Sequence, residues 1–97
     1  MIKGYHIVFK HEALLDISES YDYYVVESKG LTNRFLDCLE DVYNYLISDP
    51  RIFRRVEKGF YQVPVKIFPF VILYKIYGNE VVIFRVFHTS RNPVDRV

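Results

Sequence analysis

Three kinds of side chain in this sequence could do chemistry: a histidine near the end, a run of cations in the middle, and scattered tyrosines. RNA cleavage through a 2′-hydroxyl needs a base, an acid, and cations that stabilise the charge built up on phosphorus. His88 is the best-placed candidate acid or base, with Arg91, Lys66 and Tyr74 as its companions. The other reading of His88 is a hydrogen-bonding residue that pins the tail, with Arg91 anchoring the C-terminus against an acidic helix residue. Arg51, Arg54, Arg55 and Lys58 form a basic stretch answered only by Glu57. Together with Lys66 and Arg85 they are candidates for gripping phosphates or a target surface. An odd spacing puts Arg85 and His88 on opposite faces of a regular strand, so a bulge would be needed to unite them.

Other chemistries find no support. The three histidines are scattered and there is a single cysteine, Cys38, so no metal-binding spacing and no internal disulfide arises. Cys38 falls in a helical apolar pattern and reads as a small core residue. Gly4, Gly30, Gly59 and Gly78 make no phosphate loop, and Ser90 has no motif that would activate it. No cofactor is implied.

Net charge is +1, yet it is unevenly spread. Residues 1–50 carry four Lys/Arg and nine Asp/Glu, a balance of −5, whereas residues 51–97 carry nine and three, a balance of +6. The C-terminal half could meet a polyanion, or the cations could simply be solvated. A dedicated non-specific nucleic-acid binder would be more basic overall. The N-terminus lacks the apolar run of a signal peptide, and Ile67 to Tyr74 is too short to span a bilayer. A cytoplasmic protein is expected.

The 97 residues, half of them hydrophobic and 18% aromatic, suit one domain over 1–97. Tyr5 to Phe9 predicts a strand. Leu14, Ile17, Tyr21, Tyr24 and Val25 predict a helix, with Asp16, Glu19 and Asp22 between them. Gly30 interrupts, and Ser28 or Thr32 could cap a second helix. Its stripe is Phe35, Leu39, Val42 and Leu46, widened by Leu36, Tyr43 and Ile47, and Asp49-Pro50 stops it. A meander follows: Tyr61–Ile67, where Pro64 indicates an edge or bulge, then Phe70–Tyr77 and Glu80–His88 across a Gly78-Asn79 turn. The last two strands are apolar on both faces, so each face must be covered. The helices cover one, leaving the other for the tail or a partner chain. Tyr74 and Tyr77 read as sheet-surface aromatics. The order β-α-α-β-β-β gives an α+β domain, a helical hairpin on one face of a mainly antiparallel sheet.

That order, at this length, resembles the RelE/ParE superfamily of type II toxin–antitoxin toxins. Phe9-Lys-His-Glu-Ala13-Leu-Leu-Asp16-Ile is similar to the family's opening of the first helix. Ser48-Asp-Pro50 resembles its stop, and Phe68-Pro69-Phe70-Val-Ile-Leu-Tyr74 its Phe-Pro-Tyr, aliphatic run and Tyr. Val86-Phe-His88-Thr-Ser-Arg91-Asn-Pro93 resembles the last strand and tail of the ParE-like branch. Many relatives carry an Arg where this chain has Tyr61 and Gln62 after Phe60, which weighs against the nucleases of the superfamily. The resemblance implies a growth-inhibiting toxin that binds a protein target such as DNA gyrase, with no catalysis of its own. Its alternatives are a RelE-like nuclease cutting mRNA on the ribosome, with His88 and Arg91 as catalytic residues, or a degenerate, non-toxic member. It also implies a cognate antitoxin, the small product of an adjacent gene, that wraps the toxin with a partly disordered, often acidic segment.

Overall fold

The computed structural model describes residues 4–27 and 29–89. Strand β1 (His6–Phe9) leads into α1 (His11–Glu27) and α2 (Lys29–Ser48). A 3-10 turn at Pro50–Ile52, the two-residue strand β2 (Arg54–Arg55) and a second turn at Glu57–Gly59 follow. The chain then runs through β3 (Tyr61–Pro64), β4 (Phe70–Tyr77) and β5 (Glu80–His88). The sheet order is β1-β5-β4-β3-β2, antiparallel except where β1 lies parallel to β5. The result is the expected α+β arrangement, with the helical hairpin on one face. β1 and β5 are the first and last strands, joined by no hairpin, so a parallel pairing between them is open to the chain.

Local chemistry sets the boundaries. Gly78 takes φ +61° at the first turn position while Asn79 does not, the pattern of a tight hairpin turn with glycine leading. β3 stops at Pro64 rather than continuing to Ile67. Pro64 lies beyond the short reach of β2, on an open edge where its missing N–H does no harm. Gly30 does not separate the helices; it sits in the first turn of α2, and the candidate cap Ser28 lies outside the described residues. At the other end of α2, the carbonyl of Ile47 accepts the Tyr5 N–H at 2.9 Å, so the start of β1 satisfies an otherwise orphaned helix-end group.

The helix-side core contains Phe35, Leu39, Val42 and Leu46 of α2 as expected, together with Cys38, Ile72, Val81, Ile83 and Val86. Tyr24, Phe35, Phe68 and Phe70 meet with ring centroids 5.2–6.4 Å apart. Leu36 and Ile47 stay exposed, so the stripe is narrower than the periodicity suggested. The first helix departs further. Leu14, Tyr21 and Val25 are exposed, and its buried residues are Ala13, Asp16 and Tyr24. Tyr24 and Ile17 of the expected stripe do face the core, but the helix is rotated so that Ala13 and the Asp16 carboxylate join them in place of Leu14, Tyr21 and Val25. Tyr74 is likewise fully buried rather than a surface aromatic. Its hydroxyl donates to the Pro50 carbonyl at 2.6 Å and its ring stacks on Tyr61. Tyr77 is exposed, as expected.

The sheet's other face is closed by the chain itself. Val71, Leu73 and Phe87 are buried beneath Phe60, with Val56 and Phe84 packed alongside. The connector between β2 and β3 thus does what the tail or a partner chain was expected to do. Lys58 (φ 61°) and Gly59 (φ 79°) turn it back over the sheet. The Val56 N–H donates to the Phe60 carbonyl at 2.8 Å.

Candidate functional site: a cationic sheet face

Residues directly opposite one another on neighbouring strands share a face of the sheet. The register aligns Arg54, Gln62, Leu73 and Arg85 in one such row, on the face away from the helices. The neighbouring row runs Lys75, Val82, Val8. Rings and cations interleave here. Phe60 and Phe84 meet edge-on with centroids 5.1 Å apart. The Lys75 ammonium lies 4.5 Å from the Phe60 centroid and 5.7 Å from that of Phe84, and Lys10 sits 5.2 Å from Phe84. Their alkyl stems cover the apolar floor while the charges reach solvent. This set includes two of the cations expected from sequence, Arg54 and Arg85, and two that were not, Lys10 and Lys75. The missed cue was Lys75 itself, a charge in the middle of an otherwise apolar strand.

Arg85 is not available as a free charge. A register shift between Leu73 and Tyr74 leaves Phe84 as an extra residue on β5. Just beyond it, β1 has ended, so this stretch of β5 has no neighbouring strand on that side. Asp16 fills the gap. Its carboxylate accepts Arg85 Nε at 2.7 Å, Arg85 Nη2 at 2.9 Å and the Val86 N–H at 2.9 Å. Hydrogen bonding to Asp16 raises the Arg85 pKa above its ordinary value. The guanidinium also lies 4.5 Å from the Phe87 centroid. The expected acidic anchor on the first helix exists, but it holds Arg85; Arg91 lies outside the described residues. A carboxylate at the spacing of Ala13 and Tyr24 was the signal for it.

His88 stands on the helix side, opposite the cationic rows, with its ring 5.4 Å from Phe70. It borders a cleft of about 580 Å3 shared with Asp16, Glu19, Ser20, Tyr23 and Phe70. The bulge precedes Arg85, so it does not bring Arg85 and His88 onto one face. Lys66 lines a separate cleft of about 540 Å3 with Cys38, Tyr45, Phe53 and Val63. Tyr74 is committed to Pro50, so the suggested grouping of His88, Lys66 and Tyr74 does not form.

The basic connector is also dispersed. Interaction with Tyr5 first and Tyr61 after it raises the Arg51 pKa above its ordinary value. Arg55 lies over the Tyr61 ring at 5.2 Å, on the helix side. Lys58 is exposed in the turn after β2. Among the described residues, no three His, Cys, Asp or Glu side chains converge to hold a metal ion.

A two-helix layer lies on this five-stranded sheet, with cations on the far face and His88 on the near one. Residues 7–93 match the family model of the ParE toxin of the type II toxin–antitoxin system parDE, and the chain belongs to that family. A chain from the chromosomal ParDE toxin–antitoxin system of P. aeruginosa has a similar fold, with a TM-score of 0.76 at 19% identity. The alignment covers 87% of this chain and 95% of that one. No curated protein matches it in sequence. No helix among the described residues is long and apolar enough to cross a membrane.

Proposed function

We propose that this ParE-family chain acts in the cytoplasm as a toxin that arrests growth by binding a protein target, DNA gyrase, rather than by catalysis of its own, and that a cognate antitoxin neutralises it. One observation carries the reading. His88, the expected acid or base, faces the helices, while Arg54, Lys75 and Lys10 lie on or over the opposite face. Cleavage of RNA requires those functions on one phosphodiester. The domain is therefore better suited to recognition than to a ribosome-dependent nuclease. The relative in the ParDE system supports pairing with an antitoxin encoded nearby.

Inducing the chain alone, then following growth, plasmid supercoiling and protein synthesis, tests this directly. Growth arrest with supercoiling lost first is the expected result, reversed by co-expression of the adjacent gene. Protein synthesis failing first, with cleaved mRNA, would instead establish the nuclease alternative. Growth that continues normally would point to a degenerate member. His88→Ala is expected to leave toxicity intact.

A further inference from the structure

We infer that Ile67, in the connection between β3 and β4, is an anchor that inserts into an apolar socket on the folded protein this chain targets. The inference rests on the reading of a protein-binding toxin. Backbone and side chain are mismatched at this residue. Among the described residues, Lys58, Gly59, Ile67 and Gly78 take a positive φ. Glycine adopts that conformation without steric cost, and Lys58 is at least unbranched. Ile67, at φ 75°, is β-branched, and its Cβ crowds the backbone there. The fold needs the turn. It sends Phe68 into the core, with its ring 5.2 Å from Tyr24 and 5.3 Å from Phe35, and lets the Val65 N–H donate to the Phe70 carbonyl at 2.9 Å. The fold does not need the isoleucine. Ile67 is 64% exposed, so little burial offsets its strain. Glycine or asparagine would make the same turn more easily.

A side chain that the fold does not use is open to a partner, and this one is preorganised. The Val65–Phe70 hydrogen bond closes the base of the loop, and the Thr89 N–H donates to the Pro69 carbonyl at 2.7 Å. A β-branched side chain also has few rotamers. Docking therefore orders little that is not already ordered, which favours affinity from a small contact. The surroundings select the occupant. Exposed Lys66 precedes Ile67 and buried Phe68 follows it, so the apolar reach of the tip is narrow. A lipid surface calls for a broad apolar face. A lone aliphatic anchor needs a pocket formed in advance, which a folded protein supplies and a disordered segment does not. Ile52 is just as exposed, at 64%, but has no positive φ, and exposure alone does not mark a site.

The test uses the full chain, purified DNA gyrase and growth arrest on induction. Ile67→Asn removes the anchor and relieves the turn. It is expected to melt roughly 4 °C or more above the parent while its inhibition of supercoiling weakens about tenfold or more. Stability and inhibition moving in opposite directions excludes misfolding as the cause. Ile67→Leu keeps an aliphatic side chain and should stay within about threefold of the parent. Ile52→Asn should inhibit as the parent does. Full inhibition and growth arrest by Ile67→Asn, an equal loss from Ile52→Asn, or a lower melting point for Ile67→Asn would each overturn the inference. So would two other locations of the socket: a second copy of this chain, shown by self-association that Ile67→Asn abolishes in light scattering, or the adjacent-gene product, shown by a loss confined to its binding. A parent that arrests growth but spares gyrase removes the gyrase reading alone, and growth arrest by Ile67→Asn then decides the inference. A parent that arrests nothing defeats both.

Discussion

The two faces of the sheet are buried by different means. On the helix side, aromatic rings from α1, α2 and the β3–β4 segment interlock over Ile72, Tyr74 and Ile83. On the far side a short connector lays Phe60 and Val56 over Val71, Leu73 and Phe87, and lysine stems complete the cover. Both give fully buried side chains: Ile72 and Leu73, adjacent in sequence and pointing opposite ways, are each at zero exposure. The difference is depth. A helical layer separates the first core from solvent, whereas the second lies under a single layer of side chains whose borders are charged. A thin roof can stabilise the fold and still present a recognition surface.

Substitution at that adjacent pair is the strongest way to break the comparison. Ile72→Ala and Leu73→Ala should each cost about 2–5 kcal/mol, read as a drop in the urea midpoint. A Leu73→Ala variant as stable as the parent would show that the far face is open. Asp16→Ala comes next, at roughly 2–4 kcal/mol, because it strands both Arg85 and the Val86 N–H at the edge of β5. Asp16→Asn should recover part of that loss by keeping an acceptor for the backbone. Tyr74→Phe removes a buried hydrogen bond to Pro50 and should cost about 1–2 kcal/mol.

The alkaline limb of stability sharpens the helix side further. Burial pushes the Tyr43 hydroxyl up to about 12 from 10.0 and raises Tyr74 as well. Above pH 10 the unfolded chain releases these protons while the fold retains them, so stability falls as pH rises from 10 toward 12. Thermal melts across that window should fall less steeply for Tyr43→Phe. The smallest effect belongs to Lys75→Gln, within about 1 kcal/mol in stability, since it removes one ring-bound charge at a partly exposed site.

Local patterns carried much of this molecule. Strands β4 and β5 and the turn between them end where Gly78-Asn79, the apolar runs and His88 indicate, because turn chemistry acts within a few residues. The stripe Phe35, Leu39, Val42 and Leu46 was legible because one helix face repeats every three to four residues. The same logic read α1 only in part: Ile17 and Tyr24 reach the core, while Leu14, Tyr21 and Val25 are exposed. Its leucines and its carboxylate compete for the buried face, and the winner depends on a partner 69 residues away. A buried carboxylate is tolerable only where Arg85 and the Val86 N–H meet it. The bulge on β5 and the early end of β1 create that meeting place. The far face is a second case. Nothing local to Lys10, Phe60, Lys75 or Phe84 announces that they form one surface, because strand register and the fold-back of the connector bring them together.

The sequence by itself determined the order of the elements, the periodic face of α2 and the excess of cations in its second half. Those features depend on neighbours along the chain. Tertiary structure decided which cations are free, which are paired and which share a face, because charge availability depends on contacts between residues far apart in sequence.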